Sequence, residues 1–152
     1  MRDTAIKAKL LALCQEKIAQ RIATIESVLQ SIEESRNNET KSSVGDKYET
    51  GRAMMQMEEE KNRGQLLQAL RAQQILATID PERISDEVQL GSLVISNKLK
   101  YYCAIGLGKL QLGTETIYAV SPDSPIGRLL IGKKADDQVE LNQQLIKVVA
   151  VL

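Results

Sequence analysis

The stretch RNNETKSSVGDKYETGR, Arg36 to Arg52, decides how the first half of this chain folds. The sequence on either side of it reads as long helix, and this polar, glycine-containing segment interrupts the two. It marks the tip of a helical hairpin and carries three carboxylates, Glu39, Asp46 and Glu49. A long antiparallel hairpin holds such side chains away from the body of a protein, so a partner is expected at the tip.

Working outward, Ile18, Ile22, Ile25, Leu29 and Ile32 step by four, three, four and three. That is a heptad seam, and Leu11 and Cys14 extend it toward the N-terminus. With Asp3 as N-cap and no Gly or Pro before Ser35, one helix of roughly 33 residues and about 50 Å is expected. On the other side, a second helix is expected from near Gly45–Asp46, with Asp46 and Glu49 forming a capping box. It runs through Tyr48, Met54, Met55, Leu66, Leu67 and Leu70 to about Ile79, where Asp80–Pro81 stops it. Its middle, EEEKNRGQ from Glu58 to Gln65, is polar and reads as a solvated face or as a face that meets something else. A short connection places neighbouring helices antiparallel in one chain; a coiled coil between chains is the alternative use of the same seam. Met54, Met55 and Met57 read as seam packing, or as a plastic contact surface.

From Val88 the pattern changes to short apolar runs separated by turn residues, the signature of strands. Leu93–Ile95, Tyr101–Ile105, Thr116–Val120, Val139–Leu141 and Leu145–Leu152 are the expected strands, with Gly106 and Gly108 in a strand-end turn. Ser124 as N-cap, Pro125 at the first helical position and Gly132 as the stop describe one short helix. The fold class is therefore α+β: an antiparallel helical hairpin over 1–79 with its tip at 36–47, a linker over 80–87, and a small antiparallel sheet domain over 88–152.

Composition removes several function classes. Lys plus Arg and Asp plus Glu are 20 each, so no global field drives nucleic-acid or membrane binding. Histidine is absent, which takes away the commonest general base and zinc ligand and leaves Ser124 with nothing to activate it. Phe and Trp are absent too, which disfavours base stacking on single strands. Cys14 and Cys103 sit in apolar contexts and read as buried small hydrophobes rather than a disulfide. No apolar run approaches a membrane span and no signal-peptide pattern opens the chain, so a soluble cytoplasmic protein is expected.

The segment SPDSPIGRLLIGKKADDQVELNQQLIKVVAVL, Ser121 to Leu152, resembles the C-terminal domain of GreA/GreB transcription elongation factors. Ser124, Pro125, Ile126, Leu130, Ile131, Gly132, Lys133, Asp136 and Asp137 fit its hallmark pattern. A hairpin followed by such a domain matches the family architecture along essentially the whole chain. The resemblance implies an FKBP-like fold for the sheet domain and a bacterial protein that binds RNA polymerase. Docking would run mainly through that domain, at Ser124, Pro125, Ile126, Gly132 and Lys133, with the hairpin inserted into the secondary channel. Tip carboxylates then help to hold a second magnesium ion while the polymerase cleaves its own backtracked RNA. Magnesium takes hard oxygen ligands and keeps several waters, so one or two carboxylates complete a site built mostly by another protein.

The tip departs from the family pattern Gly-Asp-Leu-Lys-Glu-Asn-Ala-Glu-Tyr. Glu39 takes the first acidic place, but Ser42 falls at the second. Keeping Tyr48 in line with the family Tyr requires two inserted residues near Val44–Gly45. Glu39 and Asp46 are thus the candidate catalytic and magnesium-holding carboxylates, with solvated loop charge and helix capping as their structural readings. The protein is expected to be an accessory factor rather than an enzyme, with no cofactor of its own and magnesium only at the polymerase site. It is expected to be a monomer that meets nascent RNA only indirectly, with no sequence-specific DNA binding and no membrane partner. Two alternatives stand beside this: a non-cleaving, channel-occluding regulator, and an unrelated coiled-coil interaction module.

Overall fold

The computed structural model describes the backbone of residues 2–41 and 45–152 and the side chains of residues 3–38 and 50–152. Two helices come first, α1 (Arg2–Lys41) and α2 (Gly45–Ala77). Asp3 is not the N-cap of α1. The helix begins at Arg2, and Asp3 lies in the first turn, where a carboxylate faces the positive end of the helix dipole. At its other end α1 passes Ser35 and continues through RNNETK. That run holds no Gly or Pro, and Arg36 pairs with Glu59 of α2, so nothing breaks the helix where polarity begins.

The chain divides into two compact units, one of residues 16–74 and one of residues 1–15 with 75–152. In the first, Ile18, Ile22, Ile25 and Ile32 are buried along one stripe of α1, as the heptad spacing requires. Ile32 and Met55 border one groove, and Ile25 and Ala69 border another. Positions fall on α1 as they rise on α2, so the two helices are antiparallel within one chain. The α2 seam differs from expectation. It runs through Met55, Glu59, Asn62, Leu66 and Ala69, while Leu67 and Leu70 are 50% and 39% exposed and Met54 and Met57 face solvent. Three-four spacing anchored on buried Asn62 and Ala69 places those apolar residues off the stripe.

The second unit contains β1 (Leu93–Ser96), β2 (Lys100–Cys103), β3 (Gly108–Leu112), β4 (Glu115–Val120), α3 (Pro125–Leu130), β5 (Gln138–Leu141) and β6 (Gln144–Val151). The strands form one six-stranded sheet in the order β3-β4-β2-β1-β6-β5. All pairings are antiparallel except β2 with β4, where Tyr101 faces Tyr118 in a parallel register. Strand β3 replaces the expected turn: Gly108, at φ 73°, opens it, and only Leu110 within it is buried. A glycine at its start and a single buried residue in five hide the strand pattern.

Strand β2 alternates between two covered faces. Tyr101 and Cys103 join Val88, Val94, Leu130, Val139, Ile146 and Val148 in a core cluster that includes α3. Tyr102 points to the opposite face and is fully buried there, near Cys14 of α1. Leu10 and Cys14 are likewise fully buried, so the start of α1 belongs to the sheet's own core.

The β5–β6 hairpin closes on Asn142 and Gln143, at φ 52° and 66°. Two positive φ values in a two-residue loop match the right-handed strand twist, and Asn tolerates that region far better than Gln does. Gln143→Gly is therefore expected to stabilise the sheet unit by about 1 kcal/mol in urea unfolding. A lowered midpoint would show that the Gln143 side chain contributes more than its backbone costs.

Candidate functional site

The tip carboxylates Glu39 and Asp46, and the capping box of Asp46 with Glu49, lie outside the described residues. What is described is the part of the hairpin that leads to them. Arg36 occupies the α1 seam position four residues after Ile32, and Glu59 faces it from α2. One oxygen of the Glu59 carboxylate accepts from Arg36 Nη2. The other accepts from Arg63 Nε at 2.9 Å and pairs with Arg63 Nη2 at 2.8 Å, one turn further along α2. Both oxygens of a half-buried carboxylate are thus occupied by guanidinium groups, the planar donors suited to that geometry. Asn62, 7% exposed, donates from Nδ2 to the Glu58 carbonyl at 2.8 Å. Arg52, Gln56 and Glu60 join Arg36, Glu59 and Arg63 around one concavity.

The EEEKNRGQ segment is therefore divided. Glu58, Glu60, Lys61, Arg63, Gly64 and Gln65 are exposed, whereas Glu59 and Asn62 turn inward to the seam. Sequence reading missed Glu59. Its signal was present in the three-four spacing Met55, Glu59, Asn62, Leu66, obscured because two of the four are polar.

In the sheet unit, the residues expected to meet a partner also shape the backbone. Ser124 caps α3: its Oγ accepts from Gly127 N at 3.0 Å and donates to Ser121 O at 2.7 Å. Pro125 sits at the start of the helix and is exposed, while Ile126 is half-buried against the core cluster. Gly132, at φ 81°, donates to Val88 O at 2.8 Å, and Lys133 accepts from Val88 N at 2.9 Å. Those two bonds tie the segment after α3 to the entry of the sheet. Asp136, at φ 75°, donates its N–H to Val148 O, and Asp137 Oδ2 accepts from Lys134 N, both at 2.8 Å. The structural part of the Ser121–Leu152 pattern thus rests on caps, turns and tethers.

Two buried groups escaped the sequence reading. Lys7 is 2% exposed and donates from Nζ to Arg83 O at 2.7 Å. Burial holds its pKa below the ordinary lysine value, and the carboxylates of Asp3 and Asp80 partly offset that. The Tyr102 hydroxyl is buried with no hydrogen-bond partner among the described residues. Burial raises its pKa strongly, with smaller contributions from Cys14 and Cys103, so it stays a protonated phenol. Burial also pushes the Cys103 thiol up to about 11. Neither cysteine is in a disulfide. An orphaned buried hydroxyl costs about 1–3 kcal/mol, and Phe has the same ring shape without it. Tyr102→Phe is expected to raise unfolding stability by about 1 kcal/mol; a loss of stability would place an ordered water on the hydroxyl.

Among the described residues no cluster of Cys, Asp and Glu is arranged to hold a metal ion, and no helix is long and apolar enough to cross a membrane. No family model and no curated protein matches the chain. Among solved structures, one described as that of the transcription factor Gfh1 is similar to it, with 19% identity over 90% of this chain and 92% of that chain and a TM-score of 0.36.

Proposed function

We propose that this protein is a Gre-like transcription factor that binds RNA polymerase, docking through the sheet domain over 88–152 and placing its hairpin in the secondary channel. The observation that carries the reading is the union, in one chain, of a hairpin of 40- and 33-residue helices with the Ser121–Leu152 pattern. The exposed Pro125 and Gly132, with Ser124, Ile126 and Lys133 beside them, are the proposed docking surface. The protein acts as an accessory factor without a cofactor of its own. Glu39, with Asp46, supplies carboxylate oxygens to a magnesium ion at the polymerase centre, and the polymerase performs the cleavage. Its partner is the polymerase; nascent RNA is met only there, in a cytoplasmic setting, by a monomer.

One observation favours a second reading, a channel-occluding regulator that does not stimulate cleavage: Ser42 stands where the family carries its second acid. The test is RNA shortening in stalled, backtracked elongation complexes, with the wild type, Glu39→Ala, Asp46→Ala and the double variant. Magnesium-dependent shortening that the substitutions abolish supports the cleavage reading. Binding with slowed elongation and no shortening supports the regulator. Absence of polymerase binding removes both.

A further inference from the structure

We propose that Arg36, Glu59 and Arg63 form a positioning clasp that holds the tip-ward part of the hairpin together, with Glu59 as its central positioning residue. The reason lies in what the two seams offer at each level. Between Ile18 and Ile32, α1 presents an uninterrupted aliphatic stripe, and Leu66 and Ala69 belong to the α2 seam. Beyond Ile32 the apolar material thins to the half-buried Met55 of α2. The next α1 seam position is Arg36, and α2 offers Glu59 and Asn62. Concave grooves open on both sides of the cluster, one bordered by Arg52, Gln56 and Glu60 and the other by Glu26, Leu29 and Glu33. Apolar burial therefore contributes little at this level.

Charged contacts supply the alternative. Glu59 spans the hairpin to Arg36 with one oxygen and holds Arg63 with the other. Arg63 fixes the carboxylate from within α2, so the oxygen aimed at Arg36 is oriented in advance. Asn62, turned back on its own helix, puts a polar group at the adjoining seam position and disfavours apolar collapse in another register. The clasp is partly solvated, with Arg63 at 66% side-chain exposure, and so contributes modestly to overall stability. Its effect is on local geometry. A salt-sensitive ionic contact stands where the rest of the hairpin uses aliphatic packing.

The functional consequence rests on the proposed reading of the hairpin as an arm delivered to the polymerase; the structural claim does not. Spin labels on Glu34→Cys with Lys61→Cys report the distal separation, and labels on Arg21→Cys with Arg71→Cys report the proximal one. Native Cys14 and Cys103 are buried. In the full-length protein a narrow distal distribution is expected, broadening in Glu59→Gln and at ~1 M salt, where the screening length is about 3 Å. The proximal distribution stays narrow throughout. The reversal Arg36→Glu with Glu59→Arg and Arg63→Glu restores the distal width. An unchanged distal distribution in Glu59→Gln, or equal broadening at both levels, overturns the clasp. If the wild type stimulates cleavage, Glu59→Gln lowers it on the order of 100-fold at saturating protein without weakening polymerase binding. Full cleavage by a splayed variant overturns the positioning role. A wild type that does not bind polymerase removes the functional reading and leaves the distance result standing.

Discussion

Gly127→Ala is expected to destabilise the sheet unit by about 3 kcal/mol, although helix propensity alone predicts the opposite sign. Alanine is favoured over glycine by roughly 1 kcal/mol in a helix interior, and Gly127 lies inside α3. A Cβ at this position would stand 1.9 Å from the Ser121 carbonyl oxygen and 2.9 Å from Ser124 Oγ. The first of these is backbone, so no side-chain rotation relieves the clash. That same carbonyl accepts from Ser124 N at 3.1 Å and from Ser124 Oγ at 2.7 Å. Moving it removes the cap of α3 together with the turn that leads into the helix. Leu130, 2% exposed, hangs from this helix into the core cluster, which carries the damage to the sheet. Urea unfolding followed by tyrosine emission measures the effect, because Tyr101, Tyr102 and Tyr118 all lie in the sheet. An unchanged midpoint would mean that the α3 entry relaxes at little cost.

The second large effect is expected at Leu10. Its side chain is fully buried, and Leu→Ala at such a site costs about 3 kcal/mol through lost transfer energy and the cavity left behind. Residues 1–15 belong to the same compact unit as the sheet, so the loss falls on the sheet. Leu10→Ala should therefore shift the tyrosine-reported unfolding and speed amide exchange in β1 and β2. Ile25→Ala, an aliphatic loss of similar size in the unit of residues 16–74, should move that transition much less. Equal shifts from the two substitutions would contradict a core shared between the start of α1 and the sheet.

These two sites show where the sequence is informative and where it stops. Helix α1 was legible because an apolar residue recurs every three or four places from Leu11 through Cys14 to Ile32. Helix α3 was legible because Ser124, Pro125 and Gly132 are local signals, and the capping bonds of Ser124 lie within the seven residues from Ser121 to Gly127. Five of the six strands were found, and β3, opened by Gly108 and with one buried residue in five, was not. The α1 end was placed too early because polarity at RNNETK resembles a loop when the Glu59 partner is out of view. The tip chemistry rests on the family resemblance, through Glu39 and Asp46.

By itself, then, the sequence determined the α+β class, the hairpin, the short capped helix and most of the strands, because heptad spacing, capping and turn chemistry act between near neighbours. Only the tertiary structure decided that β2 lies parallel to β4, that α1 lends Leu10 and Cys14 to the sheet's core, and that Gly127 has no room for a methyl group. It also decided that Glu59 turns inward between two arginines. The β2–β4 pairing, the shared core and the Arg36–Glu59 contact depend on atoms brought together from distant segments. The space at Gly127 depends on how the turn before α3 closes, and a carboxylate among charged neighbours carries no mark in sequence of the guanidinium it will meet across the hairpin.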